Sequence, residues 1–268
     1  AYFRISCGLI GNIFRHWYDG AMRILLTNDD GYGSDGLRAL EIALGSRHEV
    51  WTLAPDIERS GMSHAISLRH PMKIRKMAAR GFSCSGTPAD FVIRACHGAL
   101  PVQPDVVISG INRGPNLGTD LVYSGTAAAA RQAVINGMPG IAVSLATYTP
   151  PFEYGPLAGL VAAQLDFLMS QWTPEVFINL NAPVTVDGTA MELVESFPSR
   201  RVYRDTLKFF DGPDGYSYSF FMDGTIDTTE EAGSDEDTVN NGRASFTRVL
   251  TYPCSIPAAS AGPVGAAR

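Results

Sequence analysis

Short apolar runs alternate with amphipathic stretches along the first two-thirds of the chain. Five runs are bounded by turn residues and have the length and composition of buried strands: Ile24–Leu26, Val50–Leu53, Val106–Ile108, Ile141–Val143 and Phe177–Leu180. Apolar residues between these runs predict helices that include Leu37, Leu40, Ile42 and Leu44, residues 126–134, and residues 157–168. A further helix is predicted at Thr87-Pro88-Ala89-Asp90, which has a hydroxyl N-cap, a proline at the first position and an acid two residues later.

This alternation of strands and helices predicts an α/β fold. We expect a Rossmann-like, doubly wound and mostly parallel sheet with helices on both faces. Ligands of such sheets bind beyond the carboxyl ends of the strands. The residues that follow each predicted strand are therefore the first candidates for a functional site.

The pattern changes after residue 182, where aromatic and turn-forming residues predominate. Tyr216–Phe220 alternates with a period of two, which predicts a β-hairpin arm in the C-terminal part of the chain. We interpret the acidic segment Asp223–Asp237 as a solvated loop. The predicted organisation is an N-terminal extension (1–21), a catalytic core (22–182), an arm that returns to the core (183–254) and a flexible tail (255–268).

Composition and charge narrow the class of protein. The chain has 268 residues, of which 45% are hydrophobic, and a net charge of −6. It is too apolar for a disordered protein, has no apolar run long enough to span a membrane, and is not basic as a stable nucleic-acid binder would be. Residues 205–237 hold ten acids and one base, so the remainder is mildly basic. The core can therefore accept an anionic ligand.

The ends and the cysteines bear on the compartment. Cys7, Cys84, Cys96 and Cys254 are scattered and form no C-x-x-C pair, which favours reduced, buried thiols in a cytoplasmic protein over disulfides or a zinc site. Residues 1–21 lack a signal-peptide pattern because basic residues interrupt the apolar stretch.

Two adjacent carboxylates, Asp29 and Asp30, follow the first predicted strand directly. Paired carboxylate oxygens suit a hard divalent cation such as Mg²⁺ or Mn²⁺, and Gly31 and Gly33 allow the backbone to turn there. A simple turn with one N-capping acid explains the same residues equally well.

The loops after the second and third predicted strands are also polar. Residues 58–64 contain Ser60, whose hydroxyl is a candidate ligand, and His64, which is a candidate general acid although a structural histidine is the more common case. Residues 109–118 combine two amides, an arginine and three glycines directly after a strand, and we expect a tight polar loop there. Asparagine supplies a neutral oxygen to a cation and N–H donors to a phosphate.

A helix start follows in Tyr123-Ser124-Gly125-Thr126, whose backbone N–H groups and helix dipole suit a phosphate. The chain lacks a Walker lysine motif, a dinucleotide-binding glycine motif in the right context and a nucleophile elbow. A cation site beside an anion site indicates phosphate-ester chemistry, in which the metal polarises the phosphoryl oxygen and activates water. Asn116 and the helix N–H groups would stabilise the developing charge.

Five motifs in order resemble the stationary-phase survival protein SurE family: Met22–Gly31, Ala54–Ser60, Ser85–Asp90, Ser109–Asn116 and Tyr123–Thr126. The resemblance implies a metal-dependent 5'(3')-nucleotidase that hydrolyses nucleoside monophosphates. It implies that Asp29, Asp30, Ser60 and Asn112 hold the metal, and that Asp29 also acts on the attacking water. It further implies that Asn116, Ser124, Gly125 and Thr126 bind the phosphate.

The resemblance also implies a homodimer or homotetramer, with the hairpin arm in subunit contacts. The family's C-terminal amphipathic helix has no counterpart in the periodicity of residues 255–268. Two other functions remain open at this point. A non-enzymatic sensor would bind a nucleotide or phosphate without turnover, and a receiver-like domain would accept a phosphoryl group on Asp29 or Asp30.

Overall fold

The computed structural model describes residues 20–185 and 191–254. The predicted flexible tail, and all but the last two residues of the predicted N-terminal extension, lie outside the described residues. The α-helices are α1 (Asp35–Gly45), α2 (Pro88–Arg94), α3 (Gly125–Ile135), α4 (Tyr154–Ser170) and α5 (Asp235–Asn240). A short π-helix spans Ala95–Ala99, and a 3-10 helix spans Gly118–Val122. The strands are β1 (Arg23–Thr27), β2 (Glu49–Pro55), β3 (Ile74–Ala78), β4 (Gly81–Cys84), β5 (Val106–Arg113), β6 (Gly140–Leu145), β7 (Val176–Ala182), β8 (Leu193–Ser196), β9 (Arg201–Asp211), β10 (Ser217–Thr228) and β11 (Ala244–Leu250).

Nine strands form one mixed sheet in the order β3-β4-β2-β1-β5-β6-β7-β11-β8. The six strands from β4 to β7 in this order run parallel, whereas β3 and β11 are antiparallel to their neighbours β4 and β7. The five predicted strands are β1, β2, β5, β6 and β7, so the predicted doubly wound fold is confirmed. The strand order reverses direction between β1 and β5, which is where such sheets bind ligands.

Both faces of the sheet are covered, because successive side chains of a strand point to opposite sides. Ile24 and Leu26 of β1 pack in the cluster that contains the apolar residues of α1 and α4. Leu25, between them, packs in the cluster that contains Phe91 of α2 and Ala129 of α3. Helix α1 buries Leu37, Leu40 and Leu44 but leaves Ile42 exposed, which corrects the prediction that Ile42 shares this face.

The predicted start of α2 is confirmed in detail. The Thr87 hydroxyl accepts a hydrogen bond from the backbone N–H of Asp90 at 3.3 Å, and the Asp90 carboxylate accepts one from the N–H of Thr87 at 3.2 Å. Pro88 occupies the first turn, where its missing N–H costs nothing. This capping box fixes the backbone of the segment 85–90, which directly follows β4.

Strand β5 is longer than predicted and includes half of the expected polar loop. Pairing with β6 is interrupted between Ser109 and Asn112 and then resumes at Asn112 and Arg113. Glycine and asparagine locally favour a turn, and the sequence therefore predicts a loop here. Strand β6 instead provides hydrogen-bonding partners for Asn112 and Arg113, so β5 continues. The irregularity accommodates one extra residue in β5, as a β-bulge does.

The prediction of a solvated acidic loop at residues 223–237 is wrong. Strand β10 extends to Thr228, and α5 begins at Asp235. The Ser234 hydroxyl caps this helix by accepting from the N–H of Asp237, and acids in the first turn suit the positive end of the helix dipole. Asp235 itself is fully buried, where it accepts hydrogen bonds from the backbone N–H groups of Gly118 and Ser199.

Strands β9 and β10 form a separate two-stranded antiparallel sheet, which we call the arm. This is the predicted hairpin. Most side chains of the arm are exposed, including large aromatic ones such as Phe209, Tyr216 and Phe221. Within the two described ranges, no helix has both the length and the apolar character needed to cross a membrane.

The close packing of α1 on β5 gives a first prediction. A Cβ at position 36 would collide with the carbonyl oxygen of Ile111, so we expect Gly36→Ala to lower the free energy of unfolding by about 1–3 kcal/mol. Gly45 lies at the end of the same helix with open space around its Cβ position, and we expect Gly45→Ala to be neutral or stabilising by up to about 1 kcal/mol. Urea denaturation of both variants checks this, and equal effects would contradict it.

Candidate active site

Segments that follow β1 and β2, together with the end of β5, meet at the carboxyl edge of the sheet. They surround a cavity of about 220 Å³. Five of the predicted site residues line it: Asp29, Ser60, Asn112, Asn116 and Ser124. The structure thus brings together residues that lie up to 95 positions apart in the sequence.

Asp29 is almost completely buried and is held from several sides. The Thr126 hydroxyl donates a hydrogen bond of 2.5 Å to Asp29 Oδ1, and the Asp29 carbonyl oxygen accepts one of 2.7 Å from the N–H of Arg59. The turn that follows β1 is shaped by Asn28, whose side-chain amide donates to Gly31 O and to Ser34 Oγ. The carboxylate therefore has a fixed orientation.

The N-terminus of α3 abuts Asp29 so closely that only glycine fits at position 125. A Cβ there would lie 2.9 Å from Asp29 Oδ2 and 3.0 Å from Cγ of Pro88. Burial raises the pKa of Asp29, and hydrogen bonds from the Thr126 hydroxyl and the Thr126 backbone N–H act in the opposite direction. The predicted metal ligand and the predicted phosphate cradle are therefore in direct contact.

Asp30 faces a second, larger cavity of about 670 Å³. Its Oδ2 accepts a hydrogen bond of 3.1 Å from the backbone N–H of Arg113, and the Arg113 side chain lines both cavities. Aromatic side chains of Tyr32, Phe152 and Tyr154 line the larger cavity. Burial raises the pKa of Asp30 to about 6, the charge of Asp29 adds to this effect, and the hydrogen bond from Arg113 opposes it.

The two neutral candidate ligands have different surroundings. The Ser60 hydroxyl donates to Glu58 Oε1 at 2.9 Å in an exposed position. The Asn112 side-chain N–H donates to the carbonyl oxygen of Gly114 at 2.9 Å, which fixes the amide while its oxygen keeps the capacity to accept.

This donor set fits a hard divalent cation. In the part of the chain that the structure describes, no three His, Cys, Asp or Glu residues are grouped as a metal site. The candidate set holds only two such residues, and a hydroxyl and an amide oxygen would complete it. Oxygen donors of this kind, with water in the remaining positions, are what Mg²⁺ and Mn²⁺ prefer.

The predicted phosphate-binding residues are rigidly supported. Asn116 donates from its side chain to Ser144 Oγ at 2.8 Å, which leaves a second N–H on the same amide, and its backbone is bound by the side chains of Asn179 and Asn181. Ser124 caps α3 by accepting from the N–H of Ala127 at 3.0 Å, so the proton of its hydroxyl stays available. Thr126 differs, because its hydroxyl is committed to Asp29.

Other residues lie differently from, or beyond, the sequence prediction. His64 Nε2 lies 2.8 Å from Gln132 Oε1, and it does not line either of the two cavities. The smaller cavity is also lined by Asp120, Tyr148 and Tyr203, which the sequence analysis did not select. Tyr203 comes from the arm, and no sequence motif around it predicts its position beside the site.

The chain is similar to proteins of one known family. The family model described as Survival protein SurE matches residues 24–203. The chain belongs to the SurE family. The match begins in β1 and extends through both cavities to the first residues of the arm.

Relatives and a solved structure from this family cover most of the chain. A protein of Geotalea uraniireducens named 5'-nucleotidase SurE is 39% identical over 229 residues, which is 84% of this chain and 92% of that protein. A protein of the same name from Treponema pallidum is 47% identical over 171 residues, 60% of this chain and 90% of that protein. The crystal structure of the SurE protein from Aquifex aeolicus, 30% identical, aligns with a TM-score of 0.73 over 86% of this chain and 94% of that one.

The raised pKa of Asp30 gives a prediction for the metal-free protein. Between about pH 4 and 6 the folded chain keeps a proton on Asp30 that the unfolded chain releases, so a rise in pH through this window lowers the free energy of unfolding. The amide that replaces the carboxylate in the variant Asp30→Asn does not titrate, so its free energy of unfolding should not fall for this reason. The stability of the variant relative to the wild type should therefore increase as the pH rises. Urea denaturation in chelator at the two ends of the window measures the difference, and a difference that is independent of pH would refute the assignment.

Proposed function

We propose that this chain is a metal-dependent 5'(3')-nucleotidase that hydrolyses nucleoside monophosphates to nucleoside and phosphate. Membership of a family whose relatives are named 5'-nucleotidase makes it a phosphomonoester hydrolase. One contact carries the proposal within the structure, the hydrogen bond between Thr126 and Asp29. It joins a site for a cation to a site for an anion, which is the arrangement that a phosphate ester requires.

We assign Asp29, Asp30, Ser60 and Asn112 to the binding of one divalent cation, Mg²⁺ or Mn²⁺. When bound, such a cation polarises a phosphoryl oxygen and lowers the pKa of a water molecule that it coordinates. Asp29 has the additional role of orienting the attacking water and accepting its proton. Its fixed orientation against Thr126 supports this role, since an immobile base loses no time or energy in reorientation.

Asn116, Ser124 and Gly125 hold the phosphate in this proposal. Thr126 belongs to the same set through its place at the helix start, while its hydroxyl holds Asp29. The free N–H of the Asn116 amide, the Ser124 hydroxyl and the positive end of α3 all favour negative charge. As the phosphoryl group is transferred to water, donors that are already in place stabilise the charge that develops on its oxygens.

The larger cavity favours a substrate of nucleotide size. A volume of about 670 Å³ lies in the range of small-molecule sites, and it adjoins the smaller cavity through Arg113. A sensor that binds only inorganic phosphate has no use for such a space. A nucleotide sensor without turnover is the alternative, and it is distinguished by tight nucleotide binding with no release of phosphate in Mg²⁺ or Mn²⁺.

We expect Asp30→Asn to abolish the metal-dependent release of phosphate from AMP or GMP while the fold stays intact. The loss of a charged ligand should lower kcat/KM by at least about 100-fold, the scale on which single electrostatic groups act in catalysis. The matched control is Asp166→Asn, which removes an exposed carboxylate far along α4 that pairs weakly with Arg47. The release of phosphate is the measured activity, and a circular dichroism spectrum of each variant checks that it is folded.

Two results would refute this assignment. One is full activity of Asp30→Asn in saturating metal. The other is wild-type activity that persists in excess chelator.

We further propose that the protein is a cytoplasmic homodimer or homotetramer that uses the arm in subunit contacts. An isolated two-stranded hairpin is marginally stable in water, and the arm exposes several large aromatic side chains. The free thiols of Cys84, Cys96 and Cys254 fit a reducing compartment, although only Cys84 is fully buried.

The assembly is tested with Phe221→Asp, because Phe221 is 79% exposed on the arm. A buried charge at an interface should shift the protein towards smaller species, as measured by size-exclusion chromatography with light scattering. The control is Ile42→Asp, since Ile42 is 68% exposed on α1 rather than on the arm. A wild-type monomer, or an unchanged mass for Phe221→Asp, would refute the role of the arm.

A further inference from the structure

We propose that Asp120, Arg201 and Tyr203 form a clasp through which the base of the arm positions the phosphate-binding loop. The clasp is defined by the contacts of Arg201 and Tyr203 with the Asp120 carboxylate. This inference rests on the proposed function, because it concerns the affinity of the same site for phosphate. Its members are positioning residues rather than groups that take part in the reaction.

The loop lies between two of the residues assigned to phosphate, Asn116 and Ser124. Asp120 ties its two ends together. The Asp120 Oδ2 atom accepts a hydrogen bond of 3.1 Å from the N–H of Leu117, next to Asn116. The Asp120 carbonyl oxygen accepts hydrogen bonds from Tyr123 at 2.9 Å and from Ser124 at 3.0 Å. A shift of Asp120 would therefore move both phosphate-binding residues.

The carboxylate of Asp120 is in turn held by the arm. The guanidinium of Arg201 donates to Oδ2 and the hydroxyl of Tyr203 donates to Oδ1, both from the first residues of β9. Asp120 and Arg201 are each only 6% exposed. Because removal of one partner from a buried ion pair leaves an uncompensated charge, the loop cannot leave this position without a large loss in stability.

Two further contacts connect the same elements. The backbone N–H of Arg201 donates to the Thr119 hydroxyl at 3.0 Å. Asp235, at the start of α5, accepts from Gly118 at 2.8 Å. Residues from the C-terminal part of the chain therefore bind the loop at Gly118, Thr119 and Asp120.

The arm also reaches the site directly. Tyr203 lines the smaller cavity, and its ring packs edge-on against Tyr123 with the ring centres 6.5 Å apart. Tyr123 immediately precedes Ser124, the cap of α3. A disturbance at the base of the arm is therefore transmitted to the helix start by packing as well as by hydrogen bonds.

The test compares two Tyr→Phe substitutions on the same arm. Tyr203→Phe removes the hydroxyl that binds Asp120 and keeps the ring. Tyr218→Phe removes a hydroxyl that binds Asp214, an exposed pair near the tip of the arm. Binding of inorganic phosphate is measured by calorimetry in saturating Mn²⁺, and AMP hydrolysis and the melting temperature are measured in parallel.

We expect Tyr203→Phe to bind phosphate about tenfold more weakly, which is the scale of one hydrogen bond to a charged group. Its affinity for Mn²⁺ should stay at the wild-type value, and so should the phosphate affinity of Tyr218→Phe. Arg201→Lys keeps the charge and loses the planar fork, so we expect a loss of the same order from it. Arg204→Gln is its control, because Arg204 lies on β9 as Arg201 does but forms an exposed ion pair with Asp227.

The outcomes separate this inference from the proposed function. If Tyr203→Phe and Arg201→Lys lower the melting temperature but bind phosphate as the wild type does, the clasp is merely structural and the inference fails. A wild type that binds phosphate but does not hydrolyse AMP refutes the nucleotidase alone, and the phosphate affinities still decide on the clasp. A wild type that binds no phosphate in Mn²⁺ overturns the inference as well.

Discussion

The organisation of the site depends on one contact, in which the first turn of α3 meets the buried carboxylate of Asp29. A carboxylate in an apolar surrounding is costly unless hydrogen bonds satisfy it, and here the hydroxyl and the N–H of Thr126 do so. Glycine at position 125 is what allows this close approach. The same contact fixes the position of the candidate metal ligand Asp29 relative to the candidate phosphate donors at the start of α3.

The adjacent carboxylates have unequal surroundings, and this matters for their chemistry. Asp29 is buried against α3 and lines the smaller cavity, whereas Asp30 lines the larger one and is bound by the backbone of Arg113. Burial raises the pKa of both carboxylates above that of free aspartate in the metal-free protein, and the charge of Asp29 adds to this effect at Asp30. A divalent cation held by the candidate ligands would favour their ionised forms, which would link the occupancy of the site to its protonation.

The C-terminal part of the chain does more than extend the sheet. The start of β9 and the start of α5 supply Arg201, Tyr203 and Asp235, and all three bind the loop between the candidate phosphate donors Asn116 and Ser124. The acidic composition that distinguishes this region is therefore partly structural. Asp235 is a buried acceptor for backbone N–H groups rather than a solvated charge.

The sequence by itself determined the parallel core and the order of the chemical loops. A fully buried strand and an amphipathic helix differ in periodicity, and a capping box such as Thr87–Asp90 is a local hydrogen-bonding pattern, so both can be recognised without a structure. The continuation of β5 through Asn112, the burial of Asp235 and the place of Tyr203 beside the cavity were decided only by the tertiary structure. Each of these depends on a partner that is remote in the sequence, the neighbouring strand β6 for the first and the loop 117–123 for the others. Local pattern contains no information about such a partner, because turn-forming or charged residues become regular or buried only when a distant element satisfies their hydrogen bonds.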